Sequence, residues 1–91
     1  MGIKRYHLLV NGRVQGVSYR MAAWEQAQRL DVTGWVRNRA DGRVEMLIEG
    51  ETASLNALIA WAKQGPRFAN VAKVDITEKP ATGEFTDFEI H

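Results

Sequence analysis

Apolar residues recur at every second position in five short stretches of the chain, a spacing typical of half-buried β-strands. The stretches are Lys4 to Asn11, Val32 to Arg39, Arg43 to Glu49, Val71 to Lys79 and Thr86 to Ile90. Asp41-Gly42 lies between the second and third stretches, and this dipeptide tolerates the positive φ of a tight hairpin. Pro80 to Glu84 forms the turn before the last stretch. The pattern therefore predicts strands in all five places, with the second and third paired as a hairpin.

Two other stretches repeat their apolar residues with the period of an α-helix. The first runs from Tyr19 to Leu30 and follows Ser18, a residue type that can act as an N-cap. The second runs from Thr52 to Gln64 and ends at Gly65-Pro66. The apolar positions that share a face are Ala23, Trp24, Ala27 and Leu30 in the first stretch and Leu55, Leu58, Ile59 and Ala62 in the second. Both stretches are therefore predicted to be amphipathic helices.

The predicted order of elements is strand, helix, strand, strand, helix, strand, followed by the short last strand. Each helix has a single apolar stripe, which has to be buried against a sheet. We therefore predict an α+β fold, a ferredoxin-like sandwich of βαββαβ order with two helices on one face of a mainly antiparallel sheet. The 91 residues, 45% of them hydrophobic, suffice for one domain spanning residues 1–91, with its motif-bearing core at about 4–90.

Charge and composition narrow the classes of function. The 12 basic and 11 acidic residues give a net charge of +1, so neither a nucleic-acid partner nor an anionic membrane surface is expected. No apolar run is long enough to span a bilayer. The absence of cysteine excludes disulfides, thiolate metal sites and a cysteine nucleophile, and neither His7 nor His91 has a second ligand at metal-site spacing. We expect a cytoplasmic monomer without a metal or cofactor.

The stretch between the first strand and the first helix has the composition of an anion site. It reads Gly12-Arg13-Val14-Gln15-Gly16-Val17-Ser18-Tyr19-Arg20. Glycines let backbone N–H groups turn inward, a helix N-terminus adds the positive end of a dipole, and a guanidinium adds a planar permanent charge. We therefore predict that residues 12–19 form a phosphate-binding loop and that Arg20 binds the nonbridging phosphate oxygens.

Asn38 is the second candidate for a functional residue. It ends a strand face that is otherwise apolar, and an amide at such a place can orient a water molecule. Taken alone, Asn38 more often bonds its own turn, and Asn11-Gly12 more often marks an ordinary hairpin. Together, an anion-binding loop, one arginine and one asparagine suffice to hydrolyse an acyl phosphate. The leaving carboxylate departs readily because its conjugate acid has a pKa of about 4. A phosphate monoester usually needs a metal, a general acid or a covalent nucleophile as well.

These residues also carry a family resemblance. The stretch from Gly12 to Arg20, together with Gly34-Trp35-Val36-Arg37-Asn38 and Asp41-Gly42 before Val44-Glu45, resembles the acylphosphatase family, and the likeness extends to Phe88-Glu89-Ile90. It implies a ferredoxin-like fold and metal-free hydrolysis of carboxyl phosphates. It also implies that Arg20 binds the phosphate and that Asn38 orients the attacking water. Ser18 and Tyr19 stand where the family often has two aromatic residues.

Other functions share this fold, because a fold does not determine function. A non-catalytic module that binds a small molecule or RNA is the main alternative. RNA is disfavoured because Val44, Met46 and Ile48 stand where stacking aromatic residues would be expected. A domain that binds acyl phosphates without turnover, or that derives from a larger carbamoyl-transferring protein, is a third alternative.

The remaining glutamates, tryptophans and arginines of note are interpreted mainly as structural residues. Glu45 and Glu49 share a strand face, which we interpret as a solvated face of the sheet. The three tryptophans are interpreted as core or edge packing. The basic residues of the hairpin are expected either to steer an anionic substrate or to form a solvated tip; they are Arg37, Arg39 and Arg43.

Overall fold

The computed structural model describes residues 2–91, so residue 1 of the predicted domain lies outside the described residues. Its elements are β1 (Ile3–Arg13), α1 (Tyr19–Leu30), β2 (Thr33–Asn38), β3 (Val44–Glu51), α2 (Thr52–Ala62), β4 (Asn70–Lys79) and β5 (Phe88–Ile90). The strands form one sheet in the order β4-β1-β3-β2-β5. β5 runs parallel to β2, and the other neighbouring strands are antiparallel. The predicted ferredoxin-like sandwich is confirmed.

The hydrophobic core lies between the two helices and one face of the sheet. Its fully buried side chains alternate along the central strands and recur at helical spacing in α1 and α2; they include Leu8, Val10, Val36, Met46, Ile48, Ala23, Ala27, Leu55, Leu58 and Ala62. Complete burial of a large aliphatic side chain contributes about 1.5–3 kcal/mol. The core therefore fixes the orientation of α1, the helix that carries the predicted anion-binding residue at its start.

Tyr19 links the beginning of α1 to the end of α2. Its side chain is buried, and its hydroxyl donates a hydrogen bond of 2.7 Å to the Ala62 carbonyl. Its ring lies 5.2 Å from the Trp61 ring, measured between centroids. Burial raises the pKa of the Tyr19 hydroxyl well above its usual range. Tyr19 is therefore a structural anchor for the loop that precedes it and stays un-ionised at physiological pH.

Two glycines are required by close backbone contacts within the sheet. Gly34 has φ 132°, and a Cβ there would lie 1.8 Å from the Leu47 carbonyl oxygen of β3. Gly12 has φ 125°, and a Cβ there would lie 2.2 Å from the Asn70 carbonyl oxygen of β4. The register between β1 and β4 shifts at Asn11/Gly12, which marks a β-bulge. Gly12 therefore shapes the end of β1 just before the loop.

Three local interpretations from the sequence need correction. Ser18 precedes α1 but forms no side-chain cap; its backbone is left-handed, with φ 63°. Trp24 was placed on the apolar face of the first helix, but 36% of its surface is exposed. Glu45 and Glu49 are not on a solvated face, because both are buried.

The burial of Glu49 is explained by the connection between β4 and β5. This segment folds back over the sheet face opposite the helices, where the Glu49 carboxylate accepts hydrogen bonds from the N–H groups of Thr82 and Gly83, each 2.9 Å long. Arg5 Nε donates to the same carboxylate at 3.0 Å, and its guanidinium lies 4.7 Å from the Phe85 ring centroid. A buried carboxylate needs such partners, since an unpaired charge is costly to desolvate.

Glu45 has a comparable set of partners nearer the hairpin. Its carboxylate lies 2.6 Å from His7 Nε2, 2.6 Å from Arg37 Nε and 3.5 Å from Arg39 Nη1. Burial by itself would raise the pKa of Glu45, but the hydrogen bonds with His7 and Arg37 outweigh burial and lower that pKa below its usual value. The ionised form is therefore the one that stabilises the fold.

This cluster predicts a specific acid sensitivity. Because the pKa of Glu45 is lower in the folded than in the unfolded chain, its stabilisation is present above the ordinary value of 4.5 and is lost as the pH falls through the folded-state pKa. We expect Glu45→Gln to be less stable than the wild type at pH 7, and the difference in unfolding free energy to shrink as the pH falls below about 4.5. Urea denaturation at pH 7 and at several pH values below 4.5 measures this. A difference in unfolding free energy that stays constant with pH would contradict it.

Candidate active site

One depression of about 220 Å³ brings together the two residues singled out by the sequence, Arg20 and Asn38. It lies where the loop between β1 and α1 meets the end of β2. The remaining lining residues come from the loop, the first turn of α1 and β5; they are Val14, Gly16, Ser18, Tyr19, Met21 and Ile90. Arg20 supplies the single charged side chain of this lining within residues 2–91.

The loop offers free backbone donors. Gly16 and Ser18 both have left-handed backbones, with φ 75° and 63°. Successive N–H groups in a turn of this kind can form a concave anion site. In residues 2–91, the N–H groups of residues 15–18 donate to no protein acceptor. A left-handed serine costs about 1–3 kcal/mol, and such strain concentrates at binding sites.

Arg20 lies in the first turn of α1, and its guanidinium is oriented by the chain segment after β5. Nη1 donates a 2.9 Å hydrogen bond to the backbone oxygen of His91. The His91 N–H donates to the Val36 carbonyl at 2.8 Å, and the His91 ring stacks on Trp35 at a centroid distance of 5.7 Å. This bond uses one of the five N–H donors of a guanidinium. The others can bind the oxygens of a tetrahedral anion.

Asn38 is the last residue of β2 and is held in the sheet opposite Val44. Its side chain is exposed and takes part in no hydrogen bond among the described residues 2–91. A free carboxamide offers two N–H donors and a carbonyl acceptor. Asn38 can therefore bind a water molecule next to an anion held by Arg20 and the loop.

Gln15 connects the loop to the hairpin between β2 and β3. Its side-chain amide donates to the carbonyl of Arg39 at 2.8 Å and to that of Arg43 at 3.0 Å. Both N–H donors of this amide are therefore engaged away from the depression. Arg39 directly follows Asn38, so these bonds hold the water-binding candidate at a set distance from the loop.

The other predicted loop residues lie outside the lining of the depression. Gly12 and Arg13 belong to β1 and pair with Val71 and Asn70 of β4. Val17 packs against the hydrophobic core. Two lining residues, Met21 and Ile90, were missed by sequence reasoning, which looked for polar groups.

The arginines of the hairpin are paired with carboxylates. Arg43 Nη2 lies 2.7 Å from Asp41 Oδ2, and Arg39 Nε lies 3.0 Å from the same oxygen. The pKa of Asp41 lies well below its usual range, and the hydrogen bonds from Arg43 are the main cause. Arg37 and Arg39 also contact Glu45, so the three guanidiniums share two carboxylates. Steering of an anionic substrate and a solvated tip both stay predictions for these arginines.

No helix of residues 2–91 is long and apolar enough to cross a membrane. The same residues contain no group of three or more histidine, cysteine, aspartate or glutamate side chains placed to hold a metal ion.

The fold and the site together define a ferredoxin-like domain with an arginine, a free amide and a loop of unpaired N–H groups at one end of the sheet. Comparison with known proteins agrees with this class. The family model for acylphosphatase matches residues 6–90. The chain is 52% identical over 88 residues to an acylphosphatase of Methylococcus capsulatus, covering 97% of this chain and 96% of that one. It is 54% identical over 88 residues to an acylphosphatase of Marinobacter nauticus, with the same shares covered.

Solved structures give the same answer. The crystal structure of acylphosphatase from Bacillus subtilis superimposes with a TM-score of 0.93 at 36% identity, covering 97% of this chain and 98% of that one. The chain belongs to the acylphosphatase family. The family predicted from the two motifs is confirmed, and with it the interpretation as an acylphosphatase enzyme.

Proposed function

We propose that this enzyme hydrolyses the carboxyl–phosphate bond of acyl phosphates by direct attack of water on phosphorus. The products are a carboxylate and inorganic phosphate. The observation that carries this proposal is the joint presence of Arg20, Asn38 and unpaired loop N–H groups around one depression.

Binding of the phosphoryl group is assigned to Arg20 and the loop. The guanidinium and the unpaired N–H groups of Gly16 and Ser18 belong to residues that line one small space, and charge-assisted hydrogen bonds to phosphate are about twice as strong as neutral ones. The transition state of phosphoryl transfer spreads charge over the equatorial oxygens. Donors that are already oriented stabilise that charge without rearrangement.

Attack is assigned to a water molecule held by Asn38. Its oxygen forms the new bond to phosphorus while the bond between phosphorus and the acyl oxygen breaks, and the electron pair leaves with the carboxylate. The carboxylate is stable without protonation at neutral pH, since its conjugate acid has a pKa of about 4. The proton of the water passes to the phosphate product or to solvent. Placement of the water is therefore the main requirement.

The lining argues against chemistry that needs a stronger base or nucleophile. Ser18 is the one aliphatic hydroxyl in the lining, and no histidine, lysine or carboxylate lines the depression beside it within residues 2–91. Tyr19 donates its hydroxyl to the Ala62 carbonyl, and its raised pKa keeps the phenol protonated, so no phenolate is available as a base. A phosphate monoester, whose leaving group is poor, would be a slow substrate.

Steady-state hydrolysis tests the proposal. With a metal chelator present, we expect turnover of benzoyl phosphate to continue undiminished and to exceed that of p-nitrophenyl phosphate by at least about 10³-fold. Loss of activity on chelation, or comparable rates on the two substrates, would contradict it. A folded protein without turnover would point to a binding module.

Gln15 gives a separate prediction about the hairpin. Gln15→Ala removes both amide bonds to the hairpin, so we expect kcat to fall about 10- to 100-fold because Asn38 is displaced. The inhibition constant of inorganic phosphate should change less than about twofold, since the amide points its donors elsewhere. Asn11→Ala, which removes an amide that donates to the Leu9 carbonyl of β1 and to the Asp75 carboxylate of β4, is the matched control. Weaker phosphate binding with an unchanged kcat would contradict this role.

A monomeric state and a cytoplasmic location are further parts of the proposal. Sedimentation equilibrium at micromolar concentration tests the first point, and cell fractionation tests the second.

A further inference from the structure

Two exposed apolar side chains lie at the rim of the depression that holds Arg20 and Asn38. Met21, in the first turn of α1, exposes 53% of its surface, and Ile90, the last residue of β5, exposes 38%. Neither belongs to the buried core. Exposed apolar groups that line a polar site are available to an apolar part of the ligand.

The depression has space beyond a phosphoryl group. Its volume is about 220 Å³. A phosphoryl group has the bulk of roughly three water molecules, ~90 Å³ at about 30 Å³ per water. Since Arg20, Asn38 and the loop donors are assigned to the phosphoryl group and the water, Met21 and Ile90 are left to contact the acyl group.

The surroundings do not favour a second anion on the substrate. Beside Arg20 no other charged side chain lines the depression within residues 2–91. An adjoining depression shares Asn38 and contains Arg37 and Arg39. These two guanidiniums already contact carboxylates, Arg37 that of Glu45 at 2.6 Å and Arg39 that of Asp41 at 3.0 Å.

The geometry points to Met21 and Ile90 as specificity-determining residues that select acyl phosphates with an apolar acyl group of several carbons. This inference rests on the proposed function and names the substrate class for the same site. Small or polar acyl groups, as in acetyl or carbamoyl phosphate, leave both side chains in water. A longer alkyl or aromatic acyl group covers them, which lowers the free energy of the bound state and the transition state together.

The test compares acetyl phosphate with hexanoyl phosphate, because the two leaving carboxylates have nearly the same basicity and differ in apolar length. We expect the wild type to favour hexanoyl phosphate by about tenfold or more in kcat/KM. Met21→Ala and Ile90→Ala should each reduce that preference, the ratio of the two kcat/KM values, about three- to tenfold, with the larger loss on hexanoyl phosphate. Ile3→Ala is the matched control, since Ile3 is 55% exposed and lies outside the depression. It should keep the wild-type preference.

The outcomes separate this inference from the proposed function. Turnover of both substrates without a preference, or an equal loss on both in the two variants, overturns the inference and leaves acyl phosphate hydrolysis standing. Faster turnover of succinyl phosphate, which carries a second anion, than of hexanoyl phosphate also overturns it, and would assign the acyl group to the depression of Arg37 and Arg39. Absence of turnover with all three substrates overturns the proposed function itself.

Discussion

Replacing Arg20 by alanine is expected to lower kcat/KM for benzoyl phosphate by about 10³-fold or more. An arginine that stabilises the charge of a phosphoryl-transfer transition state raises kcat by about 10³–10⁵-fold. Because Arg20 is also the one cation among residues 2–91 that lines the depression, inhibition by inorganic phosphate should weaken about 10²-fold. Steady-state kinetics with inorganic phosphate as competitive inhibitor measures both effects.

Arg29→Ala provides the matched control, because Arg29 is exposed on the same helix and its hydrogen bond goes to Gln26. It should leave both constants within about twofold. Arg20→Lys keeps the positive charge but loses the planar guanidinium that can form two parallel hydrogen bonds. It should bind phosphate more tightly than Arg20→Ala and less tightly than the wild type. Wild-type phosphate inhibition in Arg20→Ala would show that the anion is bound elsewhere.

Replacing Asn38 by alanine is expected to separate binding from turnover. The amide holds the attacking water and not the phosphoryl group, so kcat should fall about 10²–10³-fold. The inhibition constant of inorganic phosphate should stay within about twofold of the wild-type value. The contrast with Arg20→Ala is the signature of two distinct roles.

Asn56→Ala is the control for loss of an exposed amide, since Asn56 lies on α2 away from the depression. Its kinetics should match those of the wild type. Equal weakening of phosphate binding in Asn38→Ala and Arg20→Ala would contradict the division of roles and make Asn38 a phosphate ligand.

The sequence predicted the type and the order of the elements, because those features depend on local periodicity. The bounds of α1, Tyr19–Leu30, were predicted from its apolar spacing and are confirmed. β1 extends two residues beyond its predicted end at Asn11, to Arg13, because Gly12 and Arg13 pair with β4 across a bulge. That pairing joins distant parts of the chain and leaves no local pattern.

The sequence predicted those polar groups of the candidate site that belong to a sequence motif. Arg20 and Asn38 were predicted from two separate motifs, and they line one depression. The role of Gln15 was not predictable, since its amide bonds to the hairpin depend on how the loop meets β2 and β3. Glu49 was placed on a solvated face because alternation cannot show that the segment after β4 folds back and binds its carboxylate.

Hydrolysis of benzoyl phosphate in ¹⁸O-labelled water, with a metal chelator present, tests the central claim most directly. Mass spectrometry of both products shows which bond the water opened. Attack on phosphorus predicts one ¹⁸O atom in the inorganic phosphate, none in the benzoate, and an undiminished rate. Label in the benzoate would show attack on the carbonyl carbon, and the assignment of Arg20 and Asn38 to phosphoryl transfer would then be wrong.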